Sequence, residues 1–240
     1  MFFVGLAGSS FGTLVGGAGL IVVPTLIFLG LPPHSAIATS QFGGAGSALL
    51  GLYEFNRKKL LDVKLGSVLA VTAVFGAFWG ANWVLQVNQA HLRIFVAAAT
   101  VGILLVFVLN PQIGLRPVPK SRSKRRYLIG LPISFLLGVY GGFYGVNLGT
   151  FLSYLLILVF GQTFLESAAT RKIIGLFLIV VAIGVFSVHR VIDYRYGGVL
   201  FAGSGAGSYL GAHYSDRLGN IWVRRLFLGV VLILALKLVV

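Results

Sequence analysis

Two glycine-rich stretches inside long apolar runs are the parts of the chain best suited to bind a ligand. Residues 12–19 read GTLVGGAG and residues 141–149 read GGFYGVNLG. Glycine disfavours the helix and readily takes positive φ, so each stretch is predicted to break the helix around it. The half-helix that leaves each break, near Ala18 or Gly149, would present free N–H groups and a helix dipole, which is the chemistry of an anion site.

Polar side chains that could hold the same anion follow each stretch. Residues 38–41 read ATSQ, and residues 169–172 read ATRK. Arg171 could bind an anionic group bidentately beside neighbouring hydroxyls. An ionisable residue inside an apolar segment indicates function, because its burial is costly. The alternative is that both cations of residues 171–172 extend to an interface or pair with Glu166.

The predicted substrate-binding residues therefore come from the two glycine-rich stretches and from residues 38–41 and 169–172. They are Gly16, Gly17, Gly19, Thr39, Ser40, Gln41, Gly145, Asn147, Gly149, Thr170 and Arg171. Asn147 stands where the first stretch has a glycine and is a further candidate donor. The alternative for the glycines is close helix packing, for which Gly76/Gly80 and Gly207/Gly211 are better examples.

The chain repeats its own pattern at an offset of 131 residues. Asp62 then coincides with Asp193, two of only five acidic residues, and Gly80 coincides with Gly211. Both aspartates are predicted to cap the helix that follows them. In an apolar chain, a duplicated half with matched glycine breaks indicates a transporter whose site lies where the repeats meet.

The composition indicates a polytopic membrane protein. Apolar residues make up 58% of the 240 positions and charged residues 10%, whereas a soluble domain carries about 25% charged residues. The absence of cysteine excludes disulfides and thiolate metal sites. The four histidines have no metal-ligand spacing, and no nucleophile–base pair is visible, so we expect no metal site, no cofactor and no enzyme.

We predict an all-α polytopic fold of two homologous repeats with four apolar segments each. The expected units are a first membrane repeat at 1–109, a basic linker at 110–127 and a second membrane repeat at 128–240. The segments cover about 2–30, 36–55, 65–86, 94–109, 128–160, 167–186, 197–213 and 223–240.

The topology depends on segments one and five, the two that contain the breaks. If each crosses the membrane, the repeats run parallel; if each is a re-entrant hairpin, the repeats are inverted. Lysine and arginine are enriched on the cytoplasmic side of membrane proteins. The inverted arrangement places two more of them on that side than the parallel arrangement does, and is therefore favoured.

The net charge of +14 is concentrated in short gaps between apolar runs. The gap from Arg116 to Arg126 carries six positive charges and no negative one. The positive-inside rule places this linker in the cytoplasm, where it would also attract anionic lipid headgroups. We therefore expect a multi-pass protein of the plasma (inner) membrane that binds no nucleic acid.

Residues 16–40, GGAGLIVVPTLIFLGLPPHSAIATS, resemble the TauE/SafE family of sulfite exporters. The resemblance covers almost the whole chain and includes the duplication. It implies a plasma-membrane permease for small sulfur-containing or carboxylate anions, such as sulfite or sulfoacetate. The chain departs from the family pattern at Arg171 and Lys172, where the family usually has small or hydroxyl residues.

Three functions follow as hypotheses. The first is a secondary permease for a small anion that works by alternating access around the two breaks. The second is a channel-like conductor of anions or water. The third is a non-transporting membrane scaffold subunit that docks through its basic linker. The sequence leaves the particular anion, the direction of transport, any coupling ion and the oligomeric state open.

Overall fold

The computed structural model describes residues 1–83, 123–145, 147–215, 217, 221, 222 and 225, and these residues contain eight α-helices and no strand. The helices are α1 Phe2–Val15, α2 Gly19–Phe28, α3 Pro33–Arg57, α4 Val63–Trp83, α5 Lys124–Phe143, α6 Leu148–Leu158, α7 Phe164–Val188 and α8 Tyr194–His213. The predicted segment 94–109, most of the linker 110–127 and nearly all of segment 223–240 lie outside the described residues.

Three of the described helices are long and apolar enough to cross a membrane. They are α4, α5 and α7, with 21, 20 and 25 residues. Large apolar side chains point outward from these helices, among them Phe75, Leu136 and Phe177. An outer surface of this kind suits a protein whose solvent is the hydrocarbon of a bilayer.

The helices next to the two glycine-rich stretches form antiparallel hairpins. Gly8 of α1 lies beside Val22 of α2, and Gly130 of α5 lies against the ring of Phe160, just beyond α6. The Arg126 guanidinium also donates to the Phe160 carbonyl at 3.4 Å. In each hairpin the second helix therefore returns toward the end of the molecule at which the first began.

Contacts between the long helices fix their directions. Gly43 and Gly51 of α3 lie against Leu200 and Ser208 of α8, so α3 and α8 run parallel. Gly51 also lies against Lys172 of α7, whereas Gly44, nearer the start of α3, lies beside Ile179. Consequently α7 runs antiparallel to α3.

Glycines let two helix pairs approach to backbone contact. A Cβ atom added at Gly207 of α8 would collide with the carbonyl oxygen of Leu6 in α1. In the same way, a Cβ at Gly76 or Gly80 of α4 would collide with a carbonyl oxygen of α5. The predicted packing role of Gly76/Gly80 and Gly207/Gly211 is confirmed, and the first helix of the chain packs on the last described one.

The two aspartates cap the helices that follow them, as predicted. Asp62 Oδ1 accepts from the Leu65 N–H at 3.1 Å. Asp193 Oδ1 accepts from the N–H groups of Arg195 and Tyr196 at 2.9 and 3.1 Å. Each carboxylate satisfies N–H groups that a helix start leaves without intrahelical partners.

Candidate functional site

A cavity of about 180 Å³ lies where the two helix hairpins meet in the middle of the described structure. The hairpins touch there: a Cβ at Gly149 would lie 3.4 Å from the Gly16 Cα. The Thr150 hydroxyl reaches the Val15 carbonyl oxygen at 3.0 Å. Nine of the eleven predicted site residues line the cavity, namely Gly16, Gly17, Gly19, Ser40, Gln41, Gly145, Asn147, Gly149 and Arg171.

The two other predicted residues, Thr39 and Thr170, do not line the cavity. Both are fully buried. The Thr39 hydroxyl accepts a hydrogen bond from the Asp193 N–H at 2.9 Å, and the Thr170 hydroxyl accepts one from the Asp62 N–H at 3.3 Å. Each threonine therefore holds a loop that belongs to the other half of the chain, which is a structural task.

The backbone of both hairpin turns leaves the right-handed region. Gly16 and Gly17 have φ of +94° and +84°, and Asn147 has φ of +64°. Asn147, with ψ of 7°, lies in the left-handed helical region, which asparagine adopts readily. Gly16, with ψ of −177°, lies in a region that is open essentially only to glycine, so the two turns differ in backbone conformation. Beyond these turns, α2 and α6 begin at the cavity wall. Part of each first turn is bonded within the turn: the Ile21 N–H donates to the Ala18 carbonyl at 3.1 Å, and the Thr150 N–H donates to the Asn147 carbonyl at 3.0 Å.

Arg171 of α7 joins the two hairpins. Its side chain is 4% exposed. Nη1 donates to the Gly149 carbonyl at 2.7 Å and the Ser153 hydroxyl at 2.8 Å, while Nη2 donates to the Gly12 and Thr13 carbonyls at 3.0 and 2.7 Å. The last two acceptors are carbonyls near the end of α1, and that of Gly12 also accepts the Gly16 N–H at 2.8 Å.

These contacts change the expectations for Arg171. The expected extension to an interface is wrong, because the guanidinium is buried among protein oxygens. All four Nη hydrogens already have acceptors in the protein. Bidentate binding of an anion would therefore require some of these hydrogen bonds to break. The side chain lines the cavity and supplies positive charge there.

Lys172 also lines the cavity, although it was absent from the predicted set. Its Nζ lies within 3.0–3.2 Å of oxygen atoms from Thr13, Ser47 and Ser208. A signal was available in the sequence: the residue is a second cation inside an apolar segment. Ser47 and Ser208 were missed because single serines in membrane helices are common and mark no site by themselves.

Gln41 of α3 makes a contact similar to that of Arg171. Its Nε2 donates to the Gly141 carbonyl, in the last turns of α5, at 3.1 Å. A side chain from α3 thus satisfies the carbonyl end of α5, just as a side chain from α7 satisfies that of α1. At each turn, a carbonyl near the helix end therefore accepts a hydrogen bond from a side chain of the opposite half of the chain.

The cavity is electropositive. Arg171 and Lys172 are adjacent cations whose hydrogen-bond acceptors are neutral oxygens, and no carboxylate lines the cavity among the described residues. Glu166 instead closes a capping box with Thr163 at the start of α7. Glu54 lies 3.0 Å from Arg57 Nη1 and 2.9 Å from His213 Nδ1, near the ends of α3 and α8. In the described part of the chain, no three histidine or acidic side chains are grouped as metal ligands.

Comparison with known proteins identifies the relatives of this chain. Residues 1–238 match the family model described as sulfite exporter TauE/SafE. The chain belongs to the TauE/SafE family. It is 27% identical over 226 residues to a probable membrane transporter protein of Haemophilus influenzae, covering 93% of this chain and 87% of the relative.

Two further relatives of this TauE/SafE protein also match over nearly their whole length. The probable membrane transporter protein YfcA of Escherichia coli is 24% identical, covering 99% of this chain and 88% of the relative. YjnA of Bacillus subtilis, of the same description, is 26% identical, covering 98% and 94%. No solved structure matches the chain significantly. The chain is thus a member of a membrane transporter family, and the names of these relatives specify no substrate.

Proposed function

We propose that this protein is a secondary permease for a small anion, sulfite or a related organosulfur or carboxylate anion, which binds in the cavity between the two hairpins. The observation that carries the proposal is the pair of cavity-lining cations, Arg171 and Lys172, whose bonds go to neutral oxygens. Charges removed from water without a counter-charge are unfavourable. An anion in the cavity compensates both.

The other walls of the cavity support the same choice. The starts of α2 and α6 bring helix N-termini to it, and these favour negative charge. Ser40 and Tyr144, two residues that carry hydroxyl groups, also line the cavity. A volume of about 180 Å³ is well above the roughly 10–15 Å³ that one water needs on the same measure, so the cavity accommodates a small oxyanion together with waters.

The alternating-access mechanism rests on a proposed inverted repeat. The 25-residue helices α3 and α7 begin 131 residues apart and run antiparallel to each other. The loop–threonine hydrogen bonds, Thr39 to Asp193 and Thr170 to Asp62, are likewise exchanged between the halves. A cavity that both halves enclose is opened to either side when one half rocks against the other.

The orientation follows from the basic gaps. The loop between α3 and α4 begins with Lys58 and Lys59, and α5 begins with Lys124, Arg125 and Arg126. The positive-inside rule favours the cytoplasm for the loop and for the linker 110–127, in a plasma-membrane protein. The linker would then bind anionic headgroups.

Flux into proteoliposomes tests the proposal. Uptake of sulfite, thiosulfate, sulfoacetate, taurine and acetate is measured for the purified protein and for Ser40→Leu, which fills the cavity. Ser67→Leu is the matched control, because Ser67 is a half-buried residue of α4 that does not line the cavity. We expect saturable uptake of one of these anions, lost in Ser40→Leu and kept in Ser67→Leu.

The other outcomes separate the competing functions. Uptake that rises linearly with concentration and never saturates would indicate a channel. No uptake of any of the five anions by folded protein would contradict the permease and favour a scaffold. Arg171→Gln and Lys172→Gln test the anion preference itself, since each removes one positive charge from the cavity wall.

A further inference from the structure

The Lys172 ammonium group lies in a cage of four oxygen atoms. Nζ is 3.1 Å from Thr13 Oγ1, 3.2 and 3.0 Å from the carbonyl and hydroxyl oxygens of Ser47, and 3.1 Å from Ser208 Oγ. The three residues come from α1, α3 and α8, while the lysine comes from α7. Four helices of the two halves therefore meet at this one cation.

Two of the three hydroxyl groups in the cage donate their hydrogens to oxygens other than the lysine nitrogen. The Thr13 hydroxyl donates to Ser208 Oγ at 2.7 Å, and the Ser208 hydroxyl donates to the Ser47 carbonyl at 2.7 Å. Their lone pairs are left for the cation. An ammonium group has three hydrogens, but four oxygens surround this one at nearly equal distance, which resembles the coordination shell of an ion.

The chemistry of the cage is that of a site for a hard monovalent cation. Carbonyl and hydroxyl oxygens suit such ions. In transporters built from broken helices, coupling cations bind at the C-terminal ends of half-helices. Thr13 lies two residues before the end of α1 at Val15, next to the break.

We propose that these four oxygens form a monovalent-cation site that the chain fills with its own Lys172 ammonium group. The tethered cation takes the place of a coupling ion from solution. One consequence rests on the proposed function: anion flux through the wild-type protein needs neither a Na⁺ nor a K⁺ gradient. The cation site itself is independent of which anion, if any, is transported.

A shortened side chain tests the site without any knowledge of the anion. In Lys172→Ala the cage is open to a cation from solution. Thermal unfolding of the purified variant in detergent is followed during titration with NH₄Cl, KCl and NaCl, each against choline chloride at constant ionic strength. We expect at least one of the three cations to raise Tm saturably, by about 5–10 °C at a hundredfold excess over Kd.

Three controls accompany this variant. The wild type, whose cage is filled, and Lys64→Ala, which removes an exposed lysine of α4, should show no saturable cation effect. Lys172→Ala combined with Ser208→Ala should lose most of the effect, because one ligand of the cage is gone. Lys172→Ser provides a second shortened side chain, which brings its own hydroxyl group.

The outcomes are decisive in both directions. A variant that aggregates in choline chloride and is monodisperse in one of the test salts supports the site. A folded Lys172→Ala protein with no cation effect overturns it, and so does aggregation of both shortened variants in every salt, because a cation in the cage should restore folding. Wild-type flux that requires Na⁺ or K⁺ would overturn the inference that Lys172 takes the place of a coupling ion. It would leave the proposed anion permease intact.

Discussion

At the scale of single residues, a few side chains link structures that are distant in the sequence. Arg171 binds Gly12 and Thr13 in α1 and Gly149 at the start of α6. It combines two tasks, since the same group that satisfies helix-end carbonyls also gives the cavity its charge. If the proposed anion binds in the cavity, stability and anion binding are coupled at this residue.

Replacement of Arg171 should reveal both tasks. Arg171→Gln removes the guanidinium that donates to the Thr13 carbonyl and the Ser153 hydroxyl, and we expect the free energy of unfolding to fall by about 2–5 kcal/mol. Arg171→Lys keeps the charge without the planar fork, so its stability should be intermediate. Thermal unfolding in detergent measures the effect, with the exposed Arg195→Gln as control. Full stability of Arg171→Gln would show that the guanidinium does not join the hairpins.

Thr39 and Ser40 are neighbours in sequence with different roles in the structure. Thr39→Val removes the acceptor of the Asp193 N–H, and we expect it to cost about 1–3 kcal/mol of stability while leaving the KM for the anion unchanged. Ser40→Ala should raise KM with little effect on Tm, because Ser40 lines the cavity. Flux and thermal unfolding measured on both variants test these two expectations. A raised KM in folded Thr39→Val would indicate that Thr39 takes part in anion binding.

At the scale of elements, glycines decide how closely the helices approach. The packing of α8 on α1 brings Gly203 and Gly207 against the carbonyl oxygens of Phe2 and Leu6. Small residues at membrane helix interfaces let backbones pack closely where no hydrophobic force between helices is available. The position of α1, and hence of its turn at the cavity, depends on this contact.

A pair of glycines in α8 offers a matched test. Gly207→Ala places a Cβ into the Leu6 carbonyl oxygen, so we expect a loss of about 1–3 kcal/mol and a lower flux. Gly198→Ala has nothing within 4 Å of the added atom, and it should be neutral or more stable by up to about 1 kcal/mol. Equal Tm values for the two variants would contradict the close approach of α1 and α8.

At the scale of the whole molecule, the two halves enclose one cavity and exchange their supporting contacts. α1 packs on α8 and α4 packs on α5, so each hairpin is held by a long helix of the other half. With α3 and α7 antiparallel, the inverted arrangement predicts that equivalent loops lie on opposite sides of the membrane.

Cysteine labelling tests that orientation. The chain has no cysteine, so Lys59→Cys and Arg190→Cys each introduce a single thiol at exposed positions 131 residues apart. A membrane-impermeant maleimide applied to intact cells should label Arg190→Cys and not Lys59→Cys, and inside-out vesicles should reverse the result. Labelling of both from the same side would indicate parallel repeats.

The sequence predicted the local features better than the long-range ones. Glycine chemistry predicted helix breaks within residues 12–19 and 141–149, where Gly16, Gly17 and Asn147 have positive φ. The predicted caps at Asp62 and Asp193 accept from N–H groups at the starts of α4 and α8. The cage around Lys172 could not be predicted from the sequence, because its oxygens lie in three helices as far apart in the chain as α1 and α8. For the same reason, nothing local distinguishes a threonine that faces the cavity from one that holds a loop, as Thr39 does.

The contact between α1 and α8 also sets an order of events during synthesis. Phe2 packs against Gly203, so the ribosome must add about 200 residues before the first helix meets its partner, which takes on the order of 10–40 s at typical translation rates. Throughout that interval the amino-terminal hairpin has no α8 beside it. We therefore expect the nascent amino-terminal hairpin to depend on the insertion machinery longer than any other described part of the chain.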